Sequence, residues 1–243
     1  MDKTRLKIAF IGDSLTEGIV GVSYFDILQN KLSQHELLNY GKGGDTLISL
    51  FRRLQKINIK SPLDVGFLWI GVNDIFVKTH WSFPLVKRLR GQPWAKSHMK
   101  FQDYYRSILE LLQDNITQIF TLPPLLIGED IYNDWNKELI VLSKIIQDLS
   151  ISYPNVEFID LRKHFIPQLE SKNISPYVPK SIFRVILDAL VVKKPEKLEK
   201  EALERGLHFT IDGLHLNKAG AEKVADVLLE KIHSNFRFVV DNT

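Results

Sequence analysis

Five short apolar runs, separated by segments with helical periodicity, restrict the fold of this chain more than any other feature of its sequence. Short runs that are apolar throughout are typical of strands buried on both faces, whereas apolar residues at every third or fourth position are typical of amphipathic helices. Strands that alternate with helices favour a parallel sheet covered by helices, so we predict an α/β fold with about five parallel strands. The predicted strands span 6–11, 37–40, 65–70, 116–122 and 156–159.

The rest of the chain predicts helices within a single domain. No Gly/Ser-rich or Pro-rich stretch resembles a linker, and 243 residues can form one core, so we treat 1–243 as one domain. Two segments, 76–100 and 171–206, are longer than ordinary connections and are predicted to be insertions. The predicted helices span 24–32, 46–57, 101–112, 133–149 and 218–232.

The composition excludes several classes of function. With 44% hydrophobic and 25% charged residues, the chain can form a large core, and a net charge of +3 is too small to indicate nucleic-acid binding. The absence of cysteine rules out disulfides, cysteine nucleophiles and thiolate metal sites. We therefore expect a small-molecule partner and no nucleic acid. The sequence does not fix whether the protein forms a homo-oligomer.

The N-terminal segment predicts a cytoplasmic protein. Asp2 precedes the basic residues, and the apolar run 8–11 is too short for the core of a signal peptide. No stretch approaches the roughly 18 apolar residues of a membrane-spanning helix. We therefore expect neither export nor a membrane span.

Ser14 follows the first predicted strand in the sequence Gly12-Asp13-Ser14-Leu15. Ligands of parallel sheets bind beyond the carboxyl ends of the strands, where the start of a helix presents backbone N–H groups. This position suits a reactive hydroxyl. The alternative is that Asp13 or Ser14 only caps a helix, and the tetrapeptide alone does not separate the two roles.

Two further polar segments follow predicted strands. A glycine-rich turn at 41–44 comes after the second strand, and glycine lets a ligand oxygen approach a backbone N–H. The pattern of a phosphate-binding P-loop is not met. After the third strand, Asn73 can aim its amide N–H at an oxygen that becomes anionic. The alternatives are a plain tight turn and an Asx turn.

Two Asp–His pairs are candidates for a general base and its partner. Asp212 precedes His215 by three residues, so the carboxylate can accept from one ring nitrogen while the other takes a proton from a hydroxyl. Asp160 and His164 follow the fifth strand with i,i+4 spacing and form a rival pair. Local spacing does not choose between the pairs.

Together these segments resemble the SGNH or GDSL hydrolases, a family of esterases, lipases and acyl hydrolases. Any one block is common by chance, but the four occur in the family's order and span nearly the whole chain. The blocks are GDSL at 12–15, the glycine turn at 41–44, GxND at 71–74 and DxxH at 212–215.

The resemblance implies roles for the individual residues. Ser14 would be the nucleophile, with Asp212 and His215 completing a catalytic triad. The oxyanion hole would consist of the Ser14 N–H together with Gly44 and Asn73. The resemblance also assigns the base to the DxxH block rather than to the rival pair, and it implies a flavodoxin-like three-layer α/β/α sandwich.

The implied reaction is the hydrolysis of small carboxylic esters through an acyl-enzyme, with no metal and no organic cofactor. Enzymatic alternatives with the same triad are a thioesterase, a carbohydrate deacetylase and an acyltransferase. A non-catalytic flavodoxin-like domain that binds a phosphate ligand is the alternative from another class.

The two insertions are departures from the family pattern, and we expect them to border the site and affect the choice of substrate. The basic and aromatic residues of 81–100 favour a solvated surface loop over an anion-binding flap. The apolar stretch 182–192 favours a buried or interface helix over a lid.

Overall fold

A five-stranded parallel sheet forms the centre of the structure, a computed structural model that describes residues 5–57, 62–171, 175–178 and 195–236. The strand order is β2-β1-β3-β4-β5, and every neighbouring pair is parallel. The predicted α/β fold is thus confirmed. The strands are β1 (Lys7–Gly12), β2 (Glu36–Gly41), β3 (Leu63–Trp69), β4 (Ile116–Leu122) and β5 (Val156–Phe158).

Helices connect the strands and flank the sheet. The five predicted helices are confirmed, with ends that differ by a few residues from those predicted. The helices are α1 (Ser14–Glu17), α2 (Tyr24–Lys31), α3 (Leu47–Leu54), α4 (Val72–Phe76), α5 (Phe83–Leu89), α6 (His98–Gln113), α7 (Asp134–Ile151), α8 (Ile166–Glu170), α9 (Pro195–Glu204) and α10 (Lys218–Asn235).

The strand order sorts the helices into two layers. The chain moves from β1 to β2 in one direction and then from β2 through β3, β4 and β5 in the other. Because crossovers between parallel strands are right-handed, the two directions place their helices on opposite faces. Accordingly α2 packs against α10, while α3, α6 and α7 pack side by side. The predicted three-layer sandwich follows from this order.

The register aligns the carboxyl ends of the three strands that precede the sequence motifs. Gly12 pairs with Gly41 on one side and with Trp69 on the other. The segments that follow β1, β2 and β3 therefore lie side by side at the carboxyl ends of the strands. The strand order reverses between β1 and β3, and ligands of such sheets bind beyond the carboxyl ends at this switch point.

The core explains why the predicted strands are apolar throughout. Phe10, Phe67 and Phe120 occupy paired positions on β1, β3 and β4, and their rings stack with centroids 5.1 Å apart. Residues that point to the opposite face, such as Ile11 and Leu68, are buried as well. Burial of each such side chain contributes about 1.5–3 kcal/mol, so both faces stabilise the sheet.

The shortest helices are not predicted by the sequence, because a single turn is too short to show a periodic pattern. α1 is an example: it begins at Ser14 because the Asp13 side chain accepts a hydrogen bond from the N–H of Leu15. Its left-handed C-cap, Gly18, has φ of 76°. Asp13 is thus the helix cap, and Ser14 is the first residue of the helix.

Of the two predicted insertions, 76–100 contains α5 and leads into α6. The described part of 171–206 contains α9, whereas the apolar stretch 182–192 lies outside the described residues. None of the helices in the described ranges combines the length and the apolar character that a membrane span requires.

Candidate active site

Ser14, His215 and Asp212 form a continuous row of hydrogen bonds beyond the end of β1. The Ser14 Oγ lies 3.0 Å from His215 Nε2, and His215 Nδ1 lies 2.8 Å from Asp212 Oδ2. All three residues are buried, with 8% of Ser14 exposed. In this arrangement an imidazole can take the hydroxyl proton at one nitrogen while a carboxylate holds the N–H at the other.

The Asp212 carboxylate raises the pKa of the His215 imidazole. Burial disfavours the imidazolium, but the charge and hydrogen bond of Asp212 outweigh burial, so the pKa of His215 is raised above its ordinary 6.5. Burial likewise works against the Asp212 carboxylate. The charge of His215 and hydrogen bonds from the side chain and the backbone outweigh it, and hold the pKa of Asp212 below its usual 3.8. Asp212 therefore stabilises a proton on His215.

A buried carboxylate fixes the loop that carries Asp212 and His215. Glu129 accepts hydrogen bonds from the backbone N–H groups of residues 208–210 at 2.6–2.8 Å, and from the Thr210 hydroxyl at 2.8 Å. The N–H of Gly128 donates to the carbonyl of Gly213 over 2.7 Å. The sequence does not predict this role of Glu129, because a single acidic residue that accepts hydrogen bonds from a loop about 80 residues away forms no recognisable motif.

Two backbone N–H groups near Ser14 are available to a ligand. The N–H of Ser14 and the N–H of Gly44 have no hydrogen-bond acceptor among the described residues. Gly44 has φ of +74°, a conformation that side chains disfavour, and a Cβ there would meet Lys87 and Gln92 at 3.2–3.4 Å. The glycine turn is held to the end of β1 by a hydrogen bond from the Lys42 N–H to the Gly12 carbonyl, 3.2 Å long.

The side-chain amide of Asn73 lies between a carboxylate and an ammonium group. Its Nδ2 donates to Asp13 Oδ2 over 3.3 Å, and its Oδ1 accepts from Lys87 Nζ over 3.3 Å. An ammonium group can only donate, so the contact with Lys87 identifies Oδ1 as the end that faces it and Nδ2 as the end that faces Asp13. One amide proton of Nδ2 is used by Asp13, and the second remains for another acceptor.

The carboxyl groups beside Asn73 are strongly perturbed by burial. Burial raises the pKa of Asp13 to about 7, although the N–H of Leu15 and the charges of His215 and Lys87 oppose it. Burial also raises the pKa of Asp74 to about 6. Asp74 accepts from the N–H groups of Leu47 and Ala95, each at 2.8 Å. It therefore ties α4, the helix that follows β3, to the start of α3 and to the first insertion.

The first insertion packs onto the glycine turn. Lys87 Nζ donates to the Gly44 carbonyl, and Gln92 Nε2 donates to the Gly43 carbonyl over 3.2 Å. The Thr46 hydroxyl donates to the Pro93 carbonyl. The prediction of a solvated loop is therefore wrong for Lys87, which is 3% exposed, because its charge finds oxygen partners inside the protein. The other basic residues of the cluster are exposed: Arg88, Arg90, Lys96 and Lys100.

The rival pair lies elsewhere. Asp160 and His164 follow β5, which is separated from β1 by β3 and β4. At about 4.8 Å per strand, this places the end of β5 roughly 14 Å from the end of β1. The loop with His215 instead returns to the start of α2, where the Val22 N–H donates to the Leu216 carbonyl over 2.8 Å.

The described residues do not contain a cluster of three or more His, Asp or Glu side chains arranged to hold a metal ion. The five residues assigned by resemblance do lie together at the sheet edge: Ser14, Gly44, Asn73, Asp212 and His215.

The fold and the family comparison define the class of protein. A parallel sheet flanked by helices is an α/β hydrolase-like architecture. The model of the family described as GDSL-like Lipase/Acylhydrolase matches residues 8–228. The chain therefore belongs to this family, as the sequence blocks predicted, and it is a carboxylic ester hydrolase.

Solved structures share this fold over almost their whole length. The acetyl xylan esterase AlAXEase is 25% identical, with a TM-score of 0.63 and coverage of 93% of this chain and 100% of that chain. A variant of Axe2, an acetylxylan esterase from Geobacillus stearothermophilus, is 17% identical, with a TM-score of 0.66 and coverage of 96% of each chain. LAE5, an α/β hydrolase enzyme from the metagenome of Lake Arreo, Spain, is 17% identical, with a TM-score of 0.65 and coverage of 93% and 94%. A search of the curated proteins found no match.

Proposed function

We propose that this protein hydrolyses small carboxylic esters through an acyl-enzyme on Ser14. The observation that carries the proposal is the buried row Ser14–His215–Asp212, with contacts of 3.0 and 2.8 Å. His215 Nε2 takes the proton of the Ser14 hydroxyl while its Oγ attacks the ester carbonyl carbon. The same proton passes to the departing alcohol. Water then attacks the acyl group, gives a proton to His215, and releases the acid and the serine hydroxyl.

Three donors are proposed to hold the oxyanion that forms in both steps. They are the N–H groups of Ser14 and Gly44, which lack an acceptor in the described structure, and the second amide proton of Asn73. Donors fixed before the reaction stabilise the developing charge without rearrangement, and each is worth about 10²–10³-fold in rate. A phosphate-binding domain does not need the Ser14–His215 contact, so this contact favours the hydrolase.

The test is hydrolysis of p-nitrophenyl esters of increasing chain length by the purified wild-type protein. We expect turnover of the acetate and butyrate esters, with kcat/KM falling for longer chains. Equal or higher kcat/KM for long-chain esters would contradict the restriction to small acyl groups. Binding of phosphate without turnover of any ester would support the phosphate-binding alternative and overturn the proposed reaction.

Replacing Asn73 by alanine is expected to lower kcat by about 10²-fold or more, with a smaller change in KM. The reason is that its amide matters most when negative charge develops on the carbonyl oxygen. Steady-state kinetics with p-nitrophenyl acetate measure both constants. An increase in KM alone would make Asn73 a substrate-binding residue, and Asn155→Ala, away from the site on the β4–β5 connection, serves as the control.

A second candidate is the removal of acetyl groups from a carbohydrate. The 25% identical neighbour that this chain covers completely is an acetyl xylan esterase. A groove of about 340 Å³ adjoins the glycine turn through Gln92 and is lined also by Trp94 and Arg88. These side chains offer an aromatic surface and hydrogen-bond donors to a leaving group rich in hydroxyls.

Acetate release from acetylated xylo-oligosaccharides, at a higher kcat/KM than from p-nitrophenyl acetate, would support this candidate. A preference for acetyl thioesters would support a thioesterase instead.

A further inference from the structure

Lys87 is a buried cation in the first insertion, and the mechanism above does not use it. It lies near the end of α5 and is 3% exposed, although the residues that follow it, 88–91, are exposed. Removing an ammonium group from water is costly unless polar partners replace the water. Exposed positions exist on the same helix, yet the ammonium group of Lys87 lies in the interior. The protein must therefore supply polar partners for it.

The direct partners of Lys87 are two neutral oxygens. Nζ donates to the Gly44 carbonyl and to Asn73 Oδ1, and no ion pair of Lys87 occurs among the described residues. Burial lowers the pKa of Lys87, and the carboxylates of Asp74 and Asp13, which form no ion pair with it, oppose burial, so that the pKa is about 8. Lys87 thus remains mainly a cation at neutral pH. A side chain that served only to neutralise the buried carboxylates would be expected to contact them.

Both oxygens belong to residues that are proposed to supply oxyanion donors. At Asn73, the ammonium group binds the carbonyl end of the amide, so the NH₂ end must face the other way. The same contact draws electrons from the amide and strengthens its N–H groups as donors. At Gly44, the contact holds the residue in its left-handed conformation, with φ of +74°.

Gln92, from the same insertion, acts on the neighbouring peptide. Its Nε2 donates to the Gly43 carbonyl over 3.2 Å. That carbonyl and the N–H of Gly44 belong to one planar peptide unit, so fixing the oxygen also fixes the direction of the N–H. The insertion thereby binds the carbonyl oxygens of the two amide groups that carry proposed oxyanion donors. It leaves the N–H groups of these amides free to bind the oxyanion.

We propose that Lys87 is a positioning residue of the oxyanion hole, which sets the orientation of the Asn73 amide and the conformation of Gly44. The proposal rests on the function proposed above. Lys87 binds the carbonyl oxygens of Gly44 and of the Asn73 side chain, and it makes no hydrogen bond to Ser14 or His215 among the described residues. The first insertion then has a part in the chemistry and is not only a boundary of the substrate pocket.

The test is a double-mutant cycle between Lys87→Met and Asn73→Ala, measured with p-nitrophenyl acetate. Methionine keeps the apolar stem and removes the ammonium group. We expect Lys87→Met to lower kcat by about 10-fold or more while KM stays within about threefold, since a misdirected donor costs less than the 10²–10³-fold of a removed one. In the Asn73→Ala background the loss should shrink several-fold, because residues that act as a unit are not additive.

Lys100→Met is the matched control, since Lys100 is exposed and lies at the end of the same insertion. If Lys87→Met does not fold by circular dichroism, the same cycle is run with Lys87→Leu, whose side chain is also apolar and cannot donate a hydrogen bond. Equal losses in the two backgrounds, or an unchanged kcat, would overturn the inference while wild type and Lys100→Met still hydrolyse the ester. Absence of turnover in the wild type would instead overturn the proposed function.

Discussion

Replacing Ser14 by alanine is expected to lower kcat/KM for p-nitrophenyl acetate by about 10⁴-fold or more. The hydroxyl is the nucleophile that attacks the ester in the proposed mechanism, and its proton acceptor lies 3.0 Å away. A fluorophosphonate probe should label the wild-type protein at Ser14, because such probes react with serines that a base activates. Mass spectrometry of the labelled peptide identifies the site, and the variant should not be labelled.

The control for this experiment is Ser107→Ala, which removes a serine hydroxyl from the surface side of α6. Within the described part of the chain, that hydroxyl donates only to the Asp103 carbonyl, four residues earlier in the same helix. Labelling and turnover should both be unchanged in this variant. Labelling at a serine other than Ser14, or substantial turnover by Ser14→Ala, would show that Ser14 is not the nucleophile.

The sequence could predict the nucleophile region because the relevant residues follow directly from strands. Ser14, Gly44 and Asn73 each come within a few residues of the ends of β1, β2 and β3. The carboxyl ends of neighbouring parallel strands meet at one edge, so three separate motifs become one site once the strands are identified. Recognition of the apolar runs as strands was enough to place these residues together, whereas their roles came from the resemblance to the family.

The general base could not be identified in the same way. Asp160 and His164 also follow a strand, and their spacing is as suitable as that of Asp212 and His215. The two pairs differ in their distance from Ser14, because β5 lies at the far side of the sheet from β1. That distance depends on the strand order, which local sequence does not reveal. Only the resemblance to a family placed the base in the C-terminal block.

Lys87 and Glu129 were missed for a related physical reason. Each is a charged residue in a segment where charges normally face water, and each is buried by contacts with distant parts of the chain. Whether a charged side chain is buried depends on oxygens and N–H groups more than ten residues away in sequence, which periodicity and motifs do not describe.

Replacing His215 by alanine should lower kcat/KM by about 10⁴-fold or more, whereas His164→Ala should leave it within about threefold of wild type. His215 is the only imidazole in the described structure that contacts Ser14, and the end of β5 keeps His164 at a distance. Kinetics of both variants with p-nitrophenyl acetate, together with circular dichroism to confirm folding, measure the difference. A large loss in His164→Ala, with activity retained in His215→Ala, would transfer the role of the base to the rival pair.

The pH profile gives a second readout for the same assignment. Only neutral His215 can accept the Ser14 proton, so kcat/KM should fall as the pH drops through the pKa of His215. Because Asp212 raises that pKa above 6.5, the acid limb of the wild-type profile should have its midpoint above pH 6.5. Asp212→Asn removes the charge that opposes burial, so its acid limb should move to lower pH while its maximal rate falls. A wild-type midpoint below 6.5, or a limb that stays in place in Asp212→Asn, would show that another group controls the profile.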